Sequence, residues 1–506
     1  MKYTTIDQLN SDFLRQREIN EDNLKTILRD NADTWYGKKY NFATINSLKE
    51  YQSRIPISTY DDYREGGMAS AYPTWTVLHS SGTTGSPKEV FLSEEALRRY
   101  DAYVFLMPFA LTSLPLKNIL HVSLFRTNGN NRTLSSAYYQ YMKEARLINC
   151  DNFLGGEACM FSNEPTDVPY VKLWLALASE DLSAMLSTFL YDILMMMTYL
   201  ENHWQTILRD MEQRTISVKV PDSIQNVLLH TLPSAKRLQF LHNTFKKGMD
   251  QGIMQTLWPN LRFISGVGGR LFQAYDQALR CYTGTIPLYY FSYAQSECLS
   301  ALATKFEDSS YTLMPRSAFF EFWDMEKNCA LLPHEVLPNH IYELIITTFS
   351  GAYRYKTGDL VLITGFQGQC PMFEISERAS QILNIDGEKL DEKTITNVVS
   401  QVINSCSLKL QTYYVGIDRS VMPCRYVLMM ELQNEQIDTD KILEIFEENM
   451  KSASWDYMDL RAQKLIGDPM FHLLHREEIA SIQTGQTKPG IILTDSRVKS
   501  ILQENR

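Results

Sequence analysis

The sequence predicts an α/β protein of two domains, and three observations carry the prediction. A chain of 506 residues is too long for one ordinary domain. Strand-like runs alternate with helical ones and then give way to hairpins, which indicates a large domain with mixed sheets and helices over residues 1–377. At Ser376–Ser380 the texture changes, and residues 378–506 read as a small α+β domain.

The elements follow in order. The first 50 residues read as helical, and RIPISTYDDY (Arg54–Tyr63) as extended chain. TWTVLHS is a β-rich strand that ends in a glycine loop. LSEEALRRYDAYVFLM is helical, with Ser93 as its N-cap and acidic residues in the first turn. Residues from about Asp181 to Ile216 read as one or more long helices. LRFISGVGG (Leu261–Gly269) is a short strand breaking into glycines, followed by the helical FQAYDQALRCY. TIPLYYFSYAQSE is a further strand-like run ending in polar residues. HIYELIITT and YRYKTGDLVLITG pair antiparallel through a turn around Ser350-Gly351. Beyond Arg378 come a β-turn, a helix in IDGEKLDEKTITNVVSQVI, a strand pair around LQTYYVGI and RYVLMMELQ, another helix and a polar tail.

Composition narrows the function classes. A hydrophobic content of 44% with 11% aromatics builds a core and argues against disorder. A net charge of -10 argues against broad binding of nucleic acid or anionic membrane, so any anionic ligand must be met by local positive groups. The eight cysteines include no C-x-x-C pair and read as thiols in a reducing compartment. The polar, acid-containing start is unlike a leader peptide, and a cytoplasmic protein is expected. Leu182–Leu200 imitates a membrane span, but Asp192 and the hydroxyl residues in it point to a buried helix.

The chemistry begins at VLHSSGTTGSPKEVFLS, Val77–Ser93. Glycines let the backbone curl so that several N–H groups face one anion. Ser80, Ser81, Thr83 and Thr84 add hydroxyl donors around Gly82 and Gly85, and Lys88 adds charge. The run does not fit the spacing G-x-x-x-x-G-K-[ST], and taken alone it is equally an ordinary turn. Three further segments add to it. Tyr293-Ala294-Gln295-Ser296-Glu297 stands at a strand end, where open α/β sheets place ligands. Tyr353–Asp359 puts an acidic residue behind Gly358, and Gln486-Thr487-Lys488-Pro489 lies near the C-terminus.

In this order and spacing the segments resemble the adenylate-forming superfamily and, within it, the Gretchen Hagen family of acyl-acid amido synthetases. The resemblance covers nearly the whole chain, also taking in YGKKYNF (Tyr36–Phe42), RIPISTY (Arg54–Tyr60), LWPNL (Leu257–Leu261) and IDGEKLDE (Ile385–Glu392). It implies an ATP- and Mg²⁺-dependent ligase that adenylates a carboxylic acid. Ser80, Ser81, Gly82, Thr83, Thr84 and Gly85 would cradle the ATP phosphates with Lys88 nearby, and Gly266 to Gly269, among them Gly268 and Gly269, would lie at the adenine. Tyr293, Ala294 and Ser296 would face the nucleotide, Glu297 would hold Mg²⁺, and Asp359 would accept from the ribose hydroxyls. Arg378, Lys389 and Lys488 would come from the hinge and a mobile small domain. Such a set suits the reaction, because activating a carboxylate beside a triphosphate concentrates negative charge in the transition state.

The second half-reaction is read from departures. YAQSE replaces the Y-G-x-T-E of acyl-CoA ligases, and SERAS (Ser376–Ser380) stands where they carry G-R-x-D-D. These favour transfer to an amine, an amino acid in this family, over transfer to a thiol of coenzyme A or a carrier protein. A nucleotide- or acyl-binding module without activity is the other alternative. Met195, Met196 and Met197 are either core or a wall for an apolar acyl chain. No general base is identifiable.

Overall fold

A computed structural model describes residues 6–63, 67–80, 88–100, 103–127, 133–249, 252–269, 273–378, 382–408, 410–432, 437–475, 478, 492–493 and 495–504. The chain divides into two compact units, a larger one of residues 1–80 and 89–379 and a smaller one that holds residues 380–506.

The larger unit contains three sheets. β1 (Thr74–Ser80) and β2 (Lys88–Ser93) form a two-stranded sheet. Ser93 caps the next helix as expected, accepting the Ala96 N–H at 3.1 Å, and its hydroxyl donates to the Phe349 carbonyl at 3.1 Å. β3 (Ile119–His121), β4 (Ala184–Phe189), β5 (Phe263–Val267) and β6 (Leu288–Tyr289) then lie side by side, all parallel, in sequence order. Their crossovers are helical, including Val168–Ala178, Leu190–Gln213 and Gln273–Thr283. Parallel strands covered on both faces are buried on both, and β5 begins with Phe263 and Ile264, successive residues that are both wholly buried.

β4 departs from the sequence reading. Residues 184–189, expected within a long helix, are a strand, and the helix starts only at Leu190. A short apolar run carries no decisive period, so it can join either element. Here Asp192 stops the strand: its carboxylate accepts from the Ser187 hydroxyl at 2.5 Å and the Phe189 N–H at 3.4 Å, which begins the helix. Met196 and Met197 are wholly buried, which is core packing. Among the described residues no helix is long and apolar enough to cross a membrane.

TIPLYYFSYAQSE also proves to be two strands. Phe291 takes a left-handed φ of 41°, uncommon for an aromatic residue, and breaks the run. Before it, β6 completes the parallel sheet; after it, β7 (Ser292–Gln295) opens an antiparallel sheet of eight strands. The others are β8 (Cys298–Ala303), β9 (Tyr311–Leu313), β10 (Ala318–Asp324), β11 (Cys329–Leu331), β12 (Ile341–Thr348), β13 (Tyr355–Gln367) and β14 (Cys370–Arg378), in the order 11-10-12-13-14-9-8-7. β12 and β13 pair as expected, through a turn at Gly351. Its φ is 93°, and a Cβ there would sit 2.4 Å from the Ala69 backbone, so only glycine fits.

The smaller unit is α+β. β15 (Ile382–Leu383) and β16 (Leu390–Asp391) form a hairpin, and Asp391 caps the helix Glu392–Cys406 by accepting the Thr394 N–H at 2.8 Å. β17 (Leu410–Asp418) and β18 (Arg425–Leu432) pair antiparallel, and β19 (Met470–Leu473) adds in parallel to β18. Tyr414, Val427, Met429 and Leu474 pack with Val498 and Ile501 of the helix Asp495–Glu504 as its core.

A buried ion pair joins the segment before β1 to the antiparallel sheet. Arg354 Nε lies 3.0 Å from Glu321 Oε2, and its Nη1 donates to the Gln52 and Ile55 carbonyls at 2.8 and 2.9 Å. Both side chains are almost fully buried, so removing one partner strands the other's charge. Arg354→Met is expected to destabilise the protein by about 3–5 kcal/mol in urea unfolding, with much of the loss recovered when Glu321 is also changed to Met. A loss below about 1 kcal/mol in the single variant would contradict this reading.

Candidate active site

Each carboxylate singled out in the sequence accepts from a tyrosine hydroxyl, Asp359 from Tyr293 and Glu297 from Tyr355. Asp359 is in β13 and Tyr293 in β7, and the Tyr293 hydroxyl donates to Asp359 Oδ2 at 2.7 Å. Four strand steps separate β7 from β13, about 19 Å on a flat sheet at roughly 4.8 Å per strand. A direct bond across that span requires the sheet to curl until its β7 edge faces β13. Tyr293 fills the concavity, meeting Phe373 of β14 edge-on at 5.7 Å and Tyr311 of β9 at 6.3 Å between ring centroids.

Glu297 lies in the turn between β7 and β8 and is 8% exposed. The Tyr355 hydroxyl, at the start of β13, donates to its Oε1 at 2.7 Å. Burial and the adjacent carboxylate raise the Tyr355 pKa, so the phenol keeps its proton and remains a donor. No described group donates to Glu297 Oε2. Among the described residues no three His, Cys, Asp or Glu side chains cluster as a metal cage. A single carboxylate with an open oxygen fits Mg²⁺, which is commonly held by one or two carboxylates and the substrate's own phosphates.

Sequence reasoning missed the residues that orient these groups. Gln295 Nε2 donates to the Tyr293 hydroxyl, and Ser300 Oγ donates to Gln295 Oε1 at 2.9 Å. Thr357 Oγ1 accepts the Asp359 N–H at 3.2 Å. Tyr355, Thr357 and Asp359 share one strand parity, as do Tyr293 and Gln295, so the two-residue period was the signal that could have found them. Ala294 has the opposite parity and is exposed, and Ser296 is partly exposed in the turn. Gly358 takes a φ of 77° with nothing within 4 Å of where its Cβ would be; it serves backbone shape rather than close packing.

The early motifs pack behind this edge. Tyr36 stacks on Tyr353 at 4.6 Å, the Ser58 hydroxyl donates to the Tyr353 carbonyl at 2.7 Å, and the Lys356 N–H donates to the Ser58 carbonyl at 2.9 Å. The Glu89 N–H donates to the Tyr60 hydroxyl at 2.8 Å, which ties β2 to the same support. Gly268 and Gly269 follow β5 at the carboxyl edge of the parallel sheet. A Cβ on Gly268 would lie 2.7 Å from Leu190 and 2.9 Å from Asp276, so close packing alone demands glycine there.

Of the remaining expected residues, Ser81, Gly82, Thr83, Thr84, Gly85 and Lys488 lie outside the described residues. Ser80 ends β1, Lys88 begins β2 and Arg378 ends β14 opposite Asp359; only their backbones are described. Lys389 belongs to the smaller unit, where it precedes β16 with a left-handed φ of 47°.

Comparison with known proteins follows the same path through the chain. Residues 5–288 match the GH3 family N-terminal domain, residues 311–378 the GH3 family central domain and residues 393–505 the GH3 family C-terminal domain. The chain belongs to the Gretchen Hagen, or GH3, family. This GH3 protein is 27% identical to indole-3-acetic acid-amido synthetase GH3.5 of Arabidopsis thaliana, over 82% of this chain and 76% of that one. It is 26% identical to GH3.6 of the same plant, over 84% and 77%. Among solved structures, a GH3.15 acyl acid amido synthetase in complex with 2,4-DB superposes with a TM-score of 0.68 at 23% identity, over 99% of this chain and 95% of that one. A 2-hydroxyisobutyryl-CoA ligase superposes at 0.57 and 15%, over 97% and 92%. The family, the α/β class and the enzyme class expected from the sequence, an acyl-acid amido synthetase, therefore hold.

Asp276 gives a pH dependence beside the glycines. It is 6% exposed, its Oδ2 accepts the Gly269 N–H at 2.8 Å, and burial raises its pKa from 3.8 to about 6. Between those values the folded chain keeps a proton that the unfolded chain releases, so stability falls as pH rises from about 4 to about 6. The wild-type chain is expected to lose up to about 3 kcal/mol relative to Asp276→Asn across that window, at about 1.4 kcal/mol per unit. A difference between the two that is constant with pH in urea unfolding would contradict the assignment.

Proposed function

We propose that this GH3 protein joins a carboxylic acid to ATP, releasing pyrophosphate, and then transfers the acyl group to an amine, forming an amide and releasing AMP and a proton. The observation that carries the reading is the pair of tyrosine–carboxylate bonds, Tyr293 to Asp359 and Tyr355 to Glu297, that link the end of β7 to β13. Separate carboxylates for metal and for ribose are what a Mg–nucleotide requires of an otherwise acidic protein. Glu297 would hold Mg²⁺, which when bound offsets the charge of the phosphates. Asp359 would accept from the ribose hydroxyls, with Tyr293 fixing the carboxylate's orientation.

The other assignments follow family order. Ser80 to Gly85 and Lys88 bind phosphate, Gly268 and Gly269 border the adenine, and Tyr293, Ala294 and Ser296 face the nucleotide. Residues 1–377 serve as the domain for ATP and acid. Residues 378–506 supply Arg378, Lys389 and Lys488 and rotate between the two steps. An amino acid is the proposed amine, as the family resemblance implies, and the relatives are named amido synthetases. The cytoplasm is the proposed compartment, in keeping with described cysteines that form no disulfide.

The test is acid-dependent ATP–pyrophosphate exchange across aryl, indolyl and fatty acids, followed by offering amino acids and coenzyme A to the preformed adenylate. Exchange with at least one acid, and consumption of adenylate by an amino acid, are expected. Exchange with none leaves a binding module, and consumption by coenzyme A alone makes the chain a thioester-forming ligase. Glu297→Ala should lower exchange by about a hundredfold and raise the Mg²⁺ requirement. Asp359→Ala should weaken ATP more than deoxyribose analogues; equal weakening would remove Asp359 from the ribose.

A further inference from the structure

We propose that Glu388 and Tyr426 are the positioning residues for Lys389, holding the loop Asn384–Lys389 in its working shape within the smaller domain. The inference rests on the assignment of Lys389 to the chemistry under Proposed function. Glu388 is wholly buried yet stands beside a half-exposed lysine. Its carboxylate is turned back on the loop that precedes it, accepting the Ile385 N–H at 2.5 Å and the Asp386 N–H at 2.8 Å. The Tyr426 hydroxyl, from the middle of β18, donates to the same Oε1.

A carboxylate removed from water costs free energy unless its lone pairs are filled, and here two N–H groups and a phenol fill them. Burial raises the Glu388 pKa, while all three donors favour the ionised form. The bonds also set the backbone path on either side of Glu388. Gly387 takes a φ of 110° and donates its N–H to Asn384 Oδ1 at 2.7 Å, and Lys389 takes a φ of 47°. Glycine takes its positive φ without cost, but the left-handed Lys389 is a strained position that an unsupported loop would leave. Tyr426 is anchored in turn, wholly buried and edge-on to Tyr457 at 5.6 Å. A salt bridge would hold a surface loop as well; a buried acid aimed at backbone N–H groups instead fixes φ and ψ, and so the backbone position of Lys389.

Two measurements on the intact chain test this. Amide hydrogen exchange should show the Ile385 and Asp386 N–H groups protected in the wild-type chain and at least one of them released in Glu388→Gln, because the two use different carboxylate oxygens and the amide keeps one acceptor and turns the other into a donor. Loop-like fast exchange in the wild type would overturn the proposal without any activity being measured. Second, whichever half-reaction Lys389→Ala slows, Glu388→Gln should slow roughly ten- to hundredfold. In the Lys389→Ala background the same change should cost less than about twofold. Tyr426→Phe removes one bond of the three and keeps the ring, so it gives the same coupling should Glu388→Gln fail to fold. Multiplicative effects in the double variants would overturn the positioning role and leave the ligase reading standing. Lys389→Ala without effect on either half-reaction would overturn the assignment of Lys389 and the proposal with it.

Discussion

The larger unit depends on a hydrogen bond between a phenol and a carboxylate four strands away. Tyr293 reaches Asp359 only because the antiparallel sheet curls, and the bond ties its β7 edge to β13. Tyr355 and Glu297 make a second closure beside it with the same chemistry. Both carboxylates are nearly buried, so each would be costly without its donor, and each donor is a tyrosine packed among aromatic rings.

The break at Phe291 explains why the edge stands there. One left-handed residue moves the chain from the parallel sheet, whose carboxyl ends carry Gly268 and Gly269, to the antiparallel sheet that carries Tyr293. The groups proposed to face the nucleotide, Gly268 and Gly269 after one sheet and Tyr293 to Glu297 at the edge of the other, thus come from one run of the chain in this GH3 protein. Behind them, Ser58, Tyr36 and the Arg354–Glu321 pair brace the segment before β1 against the first residues of β13.

Much of this was legible in the sequence, and the reasons differ by element. The pairing of β12 with β13, the cap at Ser93 and the strands of the smaller unit follow from local pattern and turn residues. Glu297 and Asp359 stood out because acidic residues behind a strand end or a glycine form recognisable motifs. Gln295 and Tyr355 lay inside the same motifs yet received no role, since a side chain's partner is set by sheet curvature, which no local period encodes. β4 was misread as helix because AMLSTF is too short to show a period and runs straight into the apolar LYDILMMM; only Ser123, Ser187 and Asp192, brought together by the fold, mark where the strand stops. Phe291 carries no composition signal at all, and its left-handed turn is imposed by the two sheets it links.

The central claim is that Glu297 and Asp359 hold one Mg–nucleotide. It is tested most directly by crystals grown with Mn²⁺ and a non-hydrolysable ATP analogue, using the anomalous signal of the metal. The account predicts a Mn²⁺ peak coordinated by the Glu297 carboxylate, with the ribose hydroxyls of the same nucleotide on Asp359. A nucleotide bound away from this edge, or a metal peak with no protein ligand at Glu297, would contradict it.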